Sequence, residues 1–480
     1  MKLNNGVMLI SYANSLGRNL TEMGEILSRH FEGAVTGLHI LPFYPSSSDR
    51  GFSPLRYDAV DPELGSWEDL AGLSGKYSLM YDFMINHLSS QSACFRDFTS
   101  RKDQSPWSDL FIRYKHFWPG GDPTPAEVEK IYKRKPRAPY VTVKFADGSN
   151  EKIWCTFGDD QIDLNIRSEV TWSFIRENLQ TLARRGAAVI RLDAFAYAVK
   201  KAGGTCFFEE PGIWEMLERV RQILAPLQVE ILPEMHEHYT IQLKLAERGF
   251  WVYDFALPML LLHSLYTGET ASLAHWLRIC PRRQFTTLDT HDGIGVVDVR
   301  GLLTDARIEQ TRDLLFTRGA NVKRIYNTEA YNNLDIYQIN CTYYSALGDR
   351  DDAYITARAV QMFAPGIPQV YYVGLLAGQN DIELVEATKN GRDINRHSFT
   401  REEVAREVRR PVVQKLLKLL RFRNECPAFD GEFTVSADGP VLTLSRFSGG
   451  HSAELRADMS ACRCSIRYCG PDGSWRILDL

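Results

Sequence analysis

The chain reads as an α/β protein: a (β/α)8 TIM barrel with inserted loop subdomains, followed by a C-terminal antiparallel β domain. Three observations point there. Short apolar strands alternate with amphipathic helices through the first half of the sequence. Several of those strands end in a carboxylate, an imidazole or a guanidinium. After about Asn424 the pattern changes to short alternating strands broken by Gly, Asp and Ser. Repeated strand–helix units imply a parallel sheet with crossover helices. Eight such units need roughly 250 residues, and this chain of 480 has room for insertions.

The strands follow in order. GVMLISY, AVTGLHILPF, YSLMYDFMINH, AAVIRLDAF, VEILPEM and FWVYDFALP each carry a run of four to eight strand-forming residues. They are apolar on both faces, as parallel strands covered on both sides must be. Between them, LTEMGEILSRHF and EVTWSFIRENLQTLARRG have helical spacing. The second puts Trp172, Ile175, Leu179 and Leu182 on one face, and Gly186 ends it. From Leu88 to Gln161 the pattern turns irregular, with SPWSDLF, FWPGGDPTP and the basic run YKRKPRAPY. We expect an inserted subdomain there, over 88–161. A second irregular stretch, 295–348, predicts another inserted loop. The barrel is then expected over 1–87, 162–294 and 349–428, and the β domain over 429–480.

Composition sets the class. Apolar residues are 44 % and charged residues 24 %, as in an ordinary globular enzyme. The net charge of −4 implies no nucleic-acid partner. The 9 cysteines are an odd number and scattered, which predicts reduced thiols in a cytoplasmic protein. Cys462, Cys464 and Cys469 lack a fourth ligand at zinc spacing, so no metal is expected. The N-terminal apolar run is too short for a signal peptide, and no segment reaches membrane-spanning length. A monomer and a homodimer both fit these features.

Three carboxylates stand out. Asp193 lies in AAVIRLDAFAY, Glu234 in VEILPEMHEH and Asp292 in TTLDTHDGIG. A charge at the end of a buried strand is costly unless it has a task. Three of them, each near a cation or imidazole (Arg191, His236, His291), suit chemistry on a glycosidic bond. One can attack the sugar, one can protonate the leaving oxygen and one can grip the ring. Arg191 is two residues before Asp193, so both project to one face, and its charge favours the aspartate anion. Glu234 follows an apolar run and Pro233, a setting that favours the protonated acid. Barrel active sites lie at the C-terminal strand ends. Asp49, Arg50 and His87 fall at such ends as well. A metallohydrolase barrel also gathers His and Asp, but the spacing of His236 and His238 is its only ligand pair here.

DFMINH, IRLDAF, ILPE and LDTHDG resemble, in order, the four signature regions of the α-amylase family of retaining glycoside hydrolases and transglycosylases. Within it, DRGFSP, TTLDTHDGIGVVD, YNNLDIYQIN, TYYSALGD, APGIPQVYYVGLLAG and GRDINRH resemble the sucrose-cleaving phosphorylases. That resemblance spans Met1 to about Phe429. It implies Asp193 as nucleophile, Glu234 as general acid/base and Asp292 as the acid that holds ring hydroxyls. It also implies that Asp49, His87, Arg191, His236, His291 and Arg392 bind substrate. Phe52 and Phe157 would wall the glucosyl pocket, with Tyr197 and Gln161 near it. Asp335, Tyr337 and Gln338 would face the leaving or incoming group. The implied partners are sucrose, inorganic phosphate, glucose 1-phosphate and fructose, with no cofactor. Asn86 sits where calcium-binding amylases have a ligand, but the phosphorylases carry it without a required calcium.

A phosphate acceptor must enter beside anionic carboxylates, so it needs cations. Lys133, Arg134, Lys135 and Arg137 form a basic run in the inserted segment. The resemblance favours a role for this loop in phosphate or fructose binding, with Lys135 or Arg137 reaching in. Other readings compete, among them a phosphorylase of the same family that takes another acceptor, such as a glucosylglycerol or glucosylglycerate phosphorylase, which the LDIYQ loop matches less well. A phosphorylated fructose would suit Arg134, but Tyr337 in LDIYQ stands where the enzymes for that substrate resemble this loop with a His. A non-catalytic amylase-like transporter subunit would lack the complete triad and carry a membrane helix.

Overall fold

The computed structural model describes residues 3–134, 137–320 and 338–480. Eight parallel strands supply the sheet: β1 (Met8–Ser11), β2 (Gly37–Ile40), β3 (Ser78–Met84), β4 (Ala187–Asp193), β5 (Glu230–Pro233), β6 (Val252–Asp254), β7 (Gln284–Thr287) and β8 (Ile367–Tyr371). They hydrogen bond in the order β6-β7-β8-β1-β2-β3-β4-β5. From β1 to β5 and from β6 to β8, each strand lies beside the next in sequence, and the eighth lies beside the first. That cyclic order belongs to a (β/α)8 barrel. The six strands expected from sequence are all present, with β7 and β8 added.

The chain divides into two compact units. One is centred on Ile40–Met235. In it β3 pairs with β4 and β4 with β5, so that Asp82 opposes Arg191 and Met84 opposes Asp193. Helix α1 of this unit (Glu169–Arg184) buries Trp172, Ile175, Leu179 and Leu182, the face that its spacing predicts. Burying each such side chain contributes about 1.5–3 kcal/mol. The Ser168 hydroxyl caps its first turn by accepting from the Val170 N–H. Gly186, at φ +99, makes the turn into β4 that a side chain would strain. The segment expected to be irregular has its own order. It holds a helix, Ala93–Arg101, and a hairpin that pairs Tyr140–Lys144 with Asn150–Trp154. Its core gathers Ile112, Tyr114, Trp118, Ile131 and Trp154.

The other unit combines Asn4–His39 with the chain from His236 onward. Here β6, β7, β8 and β1 pair in parallel. The stretch expected to be irregular after Gly295 contains a helix, Asp305–Thr317. It buries only Ile308, Thr311 and Leu315, so it leaves no apolar stripe to read. Helix Asp351–Phe363, buried along most of its length, leads into β8. Its C-terminal carbonyls need donors. Arg446 donates to Phe363 O and Ala364 O, and Arg423 to Met362 O. Arg446 belongs to a five-stranded antiparallel meander spanning Glu432–Leu478, the expected C-terminal sheet. None of the nine cysteines forms a disulfide. Among the described residues no helix is long and apolar enough to cross a membrane.

Candidate active site

Asp193 is the last residue of β4, and Glu234 follows β5, with its N–H bonded to Leu192 O at 3.1 Å. Parallel pairing thus sets both carboxylates at the same end of adjacent strands. Arg191 organises them. Its guanidinium pairs with buried Asp82, donates to Asp193 Oδ1 at 3.1 Å and stands 3.6 Å from Glu234 Oε2. The contact with Asp193 is a charge-assisted hydrogen bond; the one with Glu234 is only electrostatic. Ala194, directly after Asp193, holds a left-handed φ of +53, a strain that rigid surroundings must maintain.

Around these groups lie the expected sugar contacts of the same unit. Phe52, His87, Gln161 and Tyr197 are buried. His87 Nε2 donates to Phe52 O at 2.9 Å, and Gln161 Nε2 donates to the same carbonyl at 3.0 Å. Burial pushes the His87 pKa down, against the pull of Asp163 and Asp49, so the ring is held neutral. The Phe157 ring lies 5.5 Å from His87 and 5.0 Å from Tyr197. Arg191 lies over the Phe52 ring at 6.0 Å.

Asn86 is occupied by protein. Lys200 Nζ donates to Asn86 Oδ1 at 2.9 Å and to Tyr197 O at 2.7 Å, and pairs with Asp163 Oδ2 at 2.7 Å. The side chains of Lys200, Asn86 and Asp163 are all buried. A side-chain carbonyl, a backbone carbonyl and a carboxylate are oxygen ligands suited to calcium. Here an ammonium takes their charge and their lone pairs.

The second unit carries Asp292 at the tip that follows β7. Burial raises its pKa, but His291, Arg392, His236 and Arg396 outweigh that and hold its carboxyl far below the ordinary range. His291 Nε2 is 3.6 Å and Arg392 Nη1 3.6 Å from its oxygens. Two residues of GRDINRH that sequence reasoning left without a role pin this tip. Asn395 donates to Thr290 O and Asp292 O, and Arg396 donates twice to His291 O. Gln338 Oε1 accepts from the Gly293 N–H at 3.2 Å. A Cβ on Gly293 would meet Ile339 O at 2.8 Å, so this close approach requires glycine. His236 stacks on Phe255 at 3.8 Å and lies 3.5 Å from the buried Asp298 carboxylate.

The basic run divides. Arg134 lays its guanidinium over the Tyr132 and Tyr197 rings, at 5.6 and 5.2 Å. Lys133 pairs with Glu129 at 3.0 Å. Arg137, one of the two residues expected to reach for an acceptor, pairs with Asp159 and donates to Tyr140 O. Lys135, Asp335 and Tyr337 lie outside the described residues. Sequence reasoning also missed Asp82 and Lys200. The signal for Asp82 was present: a charge in the middle of a buried apolar strand.

Known proteins resemble this chain along nearly its whole length. A family model described as "Alpha amylase, catalytic domain" matches residues 32–247. A sucrose phosphorylase of Streptococcus mutans is 53% identical over 464 residues, covering 96% of each chain. A sucrose 6(F)-phosphate phosphorylase of Thermoanaerobacterium thermosaccharolyticum is 44% identical, covering 98% of this chain and 99% of its own. The crystal structure of sucrose 6F-phosphate phosphorylase from Thermoanaerobacter thermosaccharolyticum superimposes with a TM-score of 0.96 at 41% identity, over 100% of this chain and 98% of that one.

Proposed function

The chain belongs to the sucrose phosphorylase family of α-amylase-type enzymes, and on that premise we propose that it catalyses the reversible phosphorolysis of sucrose. Sucrose and inorganic phosphate give α-D-glucose 1-phosphate and D-fructose. The observation that carries this reading is the 53% identity to a sucrose phosphorylase along nearly the full length of both chains. The 6(F)-phosphate enzyme, at 44%, is the second reading.

The chemistry is a retaining double displacement. Asp193 attacks the anomeric carbon while Glu234 protonates the departing fructosyl oxygen. Fructose leaves and a β-glucosyl ester remains on Asp193. A phosphate oxygen then attacks the same carbon, Glu234 takes back a proton and the ester bond to Asp193 breaks. Two inversions restore the α configuration. Because one guanidinium contacts both carboxylates, they stay close, as direct attack requires. Asp292, held ionised by its cationic neighbours, suits hydrogen bonds from ring hydroxyls. Asp49, Phe52, His87, Phe157 and Arg392 serve the glucosyl unit in this scheme. Arg134, on the Tyr197 ring, is the described cation of the basic run best suited to a phosphate dianion. No step calls for a metal or cofactor.

The test is product analysis with sucrose and with sucrose 6′-phosphate, each with and without phosphate. Glucose 1-phosphate formed from sucrose only when phosphate is present is the expected result. Preference for the 6′-phosphate donor would favour the second reading. Free glucose as the main product regardless of phosphate would mean hydrolysis.

A further inference from the structure

The loop after β2 carries a run of strained backbone. Asp49, Arg50 and Gly51 all have positive φ, at +53, +49 and +100. Gly51 must be glycine, because a Cβ there would meet Pro42 O at 2.4 Å. Asp49 and Arg50 are not glycine, so their left-handed conformation costs free energy that surrounding contacts have to offset. Those contacts converge on one atom. Ser47, Ser48 and Ser53 each place a hydroxyl on Asp160 Oδ2, at 2.7, 2.6 and 2.9 Å. Two of these serines precede the strained residues and one follows them. The Ser47 N–H also donates to Ser53 O at 3.0 Å, closing the loop at its base.

Asp160 sits in the segment that carries Phe157 and Gln161. Its own carbonyl accepts from the Ser90 N–H at 2.7 Å, which fixes it to the chain just past His87. Three elements that bear sugar contacts therefore meet at this residue. We propose that Asp160 is a positioning residue of the glucosyl subsite: through Ser47, Ser48 and Ser53 its carboxylate clamps the strained turn and so holds Asp49 and Phe52 ready for the sugar. Burial raises the pKa of this carboxyl, but the three hydroxyls outweigh that and hold it below its ordinary range, so it is an anion throughout the neutral range. Hydrogen bonds to an anion are about twice as strong as neutral ones. The amide of Asp160→Asn keeps the shape and loses that strength.

The inference rests on Asp49 and Phe52 contacting the glucosyl unit, as proposed above. The experiment measures steady-state constants of Asp160→Asn with sucrose, with α-glucosyl fluoride and with phosphate, together with its Tm. Both donors share the glucosyl group, so KM for each should rise by about tenfold. KM for phosphate at saturating donor should stay unchanged. Ser48→Ala and Ser53→Ala, which remove one hydroxyl each, should raise donor KM by smaller steps, and they carry the test if Asp160→Asn does not fold. Unchanged donor KM with a lowered Tm would make the clamp merely structural and overturn the proposal. A rise in phosphate KM alone would overturn it too. Turnover of α-glucosyl fluoride by a wild-type enzyme that makes no glucose 1-phosphate would overturn the phosphorylase reading and leave the comparison at Asp160 intact.

Discussion

One carboxyl outside the proposed chemistry sets a pH dependence of its own. Asp254 ends β6, fully buried, and burial together with the nearby Asp298 pushes its pKa up to about 7. The Leu257 N–H at 3.0 Å and the Trp276 indole N–H at 2.9 Å favour its anion but do not restore the ordinary value. In the unfolded chain the same group titrates near the carboxylate value of 3.8. Between those pH values the folded state binds the extra proton, so stability falls as pH rises from about 4 through about 7. Asp254→Asn removes the titration. Its Tm relative to wild type should therefore improve on going from about pH 5 to about pH 8, as read by thermal melts across that range. A difference in Tm that does not change with pH would contradict the assignment.

At the scale of elements, the ends of strands and the loops after them are braced by charges that touch no sugar. Lys200 does so for the chain after β3. Lys200→Met would leave Asp163 buried without its counter-charge, and breaking such a pair costs about 3–5 kcal/mol. A large fall in Tm is expected, and a Tm equal to wild type would count against the ammonium as the brace. Elements like these explain what the sequence disclosed. Strands β1 to β6 were legible because each is a short apolar run, and Asp193, Glu234 and Asp292 because a charge ending such a run is unusual. The helix at 305–317 was not legible because it buries too few residues to form a stripe. Nor was the hairpin at 140–154, whose strands bury only Ile153 and Trp154 and follow a dense basic run. Lys200, Asn395 and Arg396 were hidden for another reason: their partners lie about a hundred residues away in sequence, and only folding reveals them.

For the whole molecule, the cyclic strand order and the family membership support the central proposal, that glucose passes through a covalent ester on Asp193. The product, α-glucose 1-phosphate, has the same anomeric configuration as the donor, and two displacements at one carbon account for that. The claim is tested most directly by trapping. Glu234→Gln lacks the acid needed to expel fructose, but fluoride leaves without protonation, so α-glucosyl fluoride still reaches the ester. Mass spectrometry of that variant, quenched during turnover and digested, should find one glucosyl unit on the peptide that contains Asp193, and none after Asp193→Asn is added. A glucosyl unit on another peptide, or none while α-glucosyl fluoride is consumed, would contradict the account.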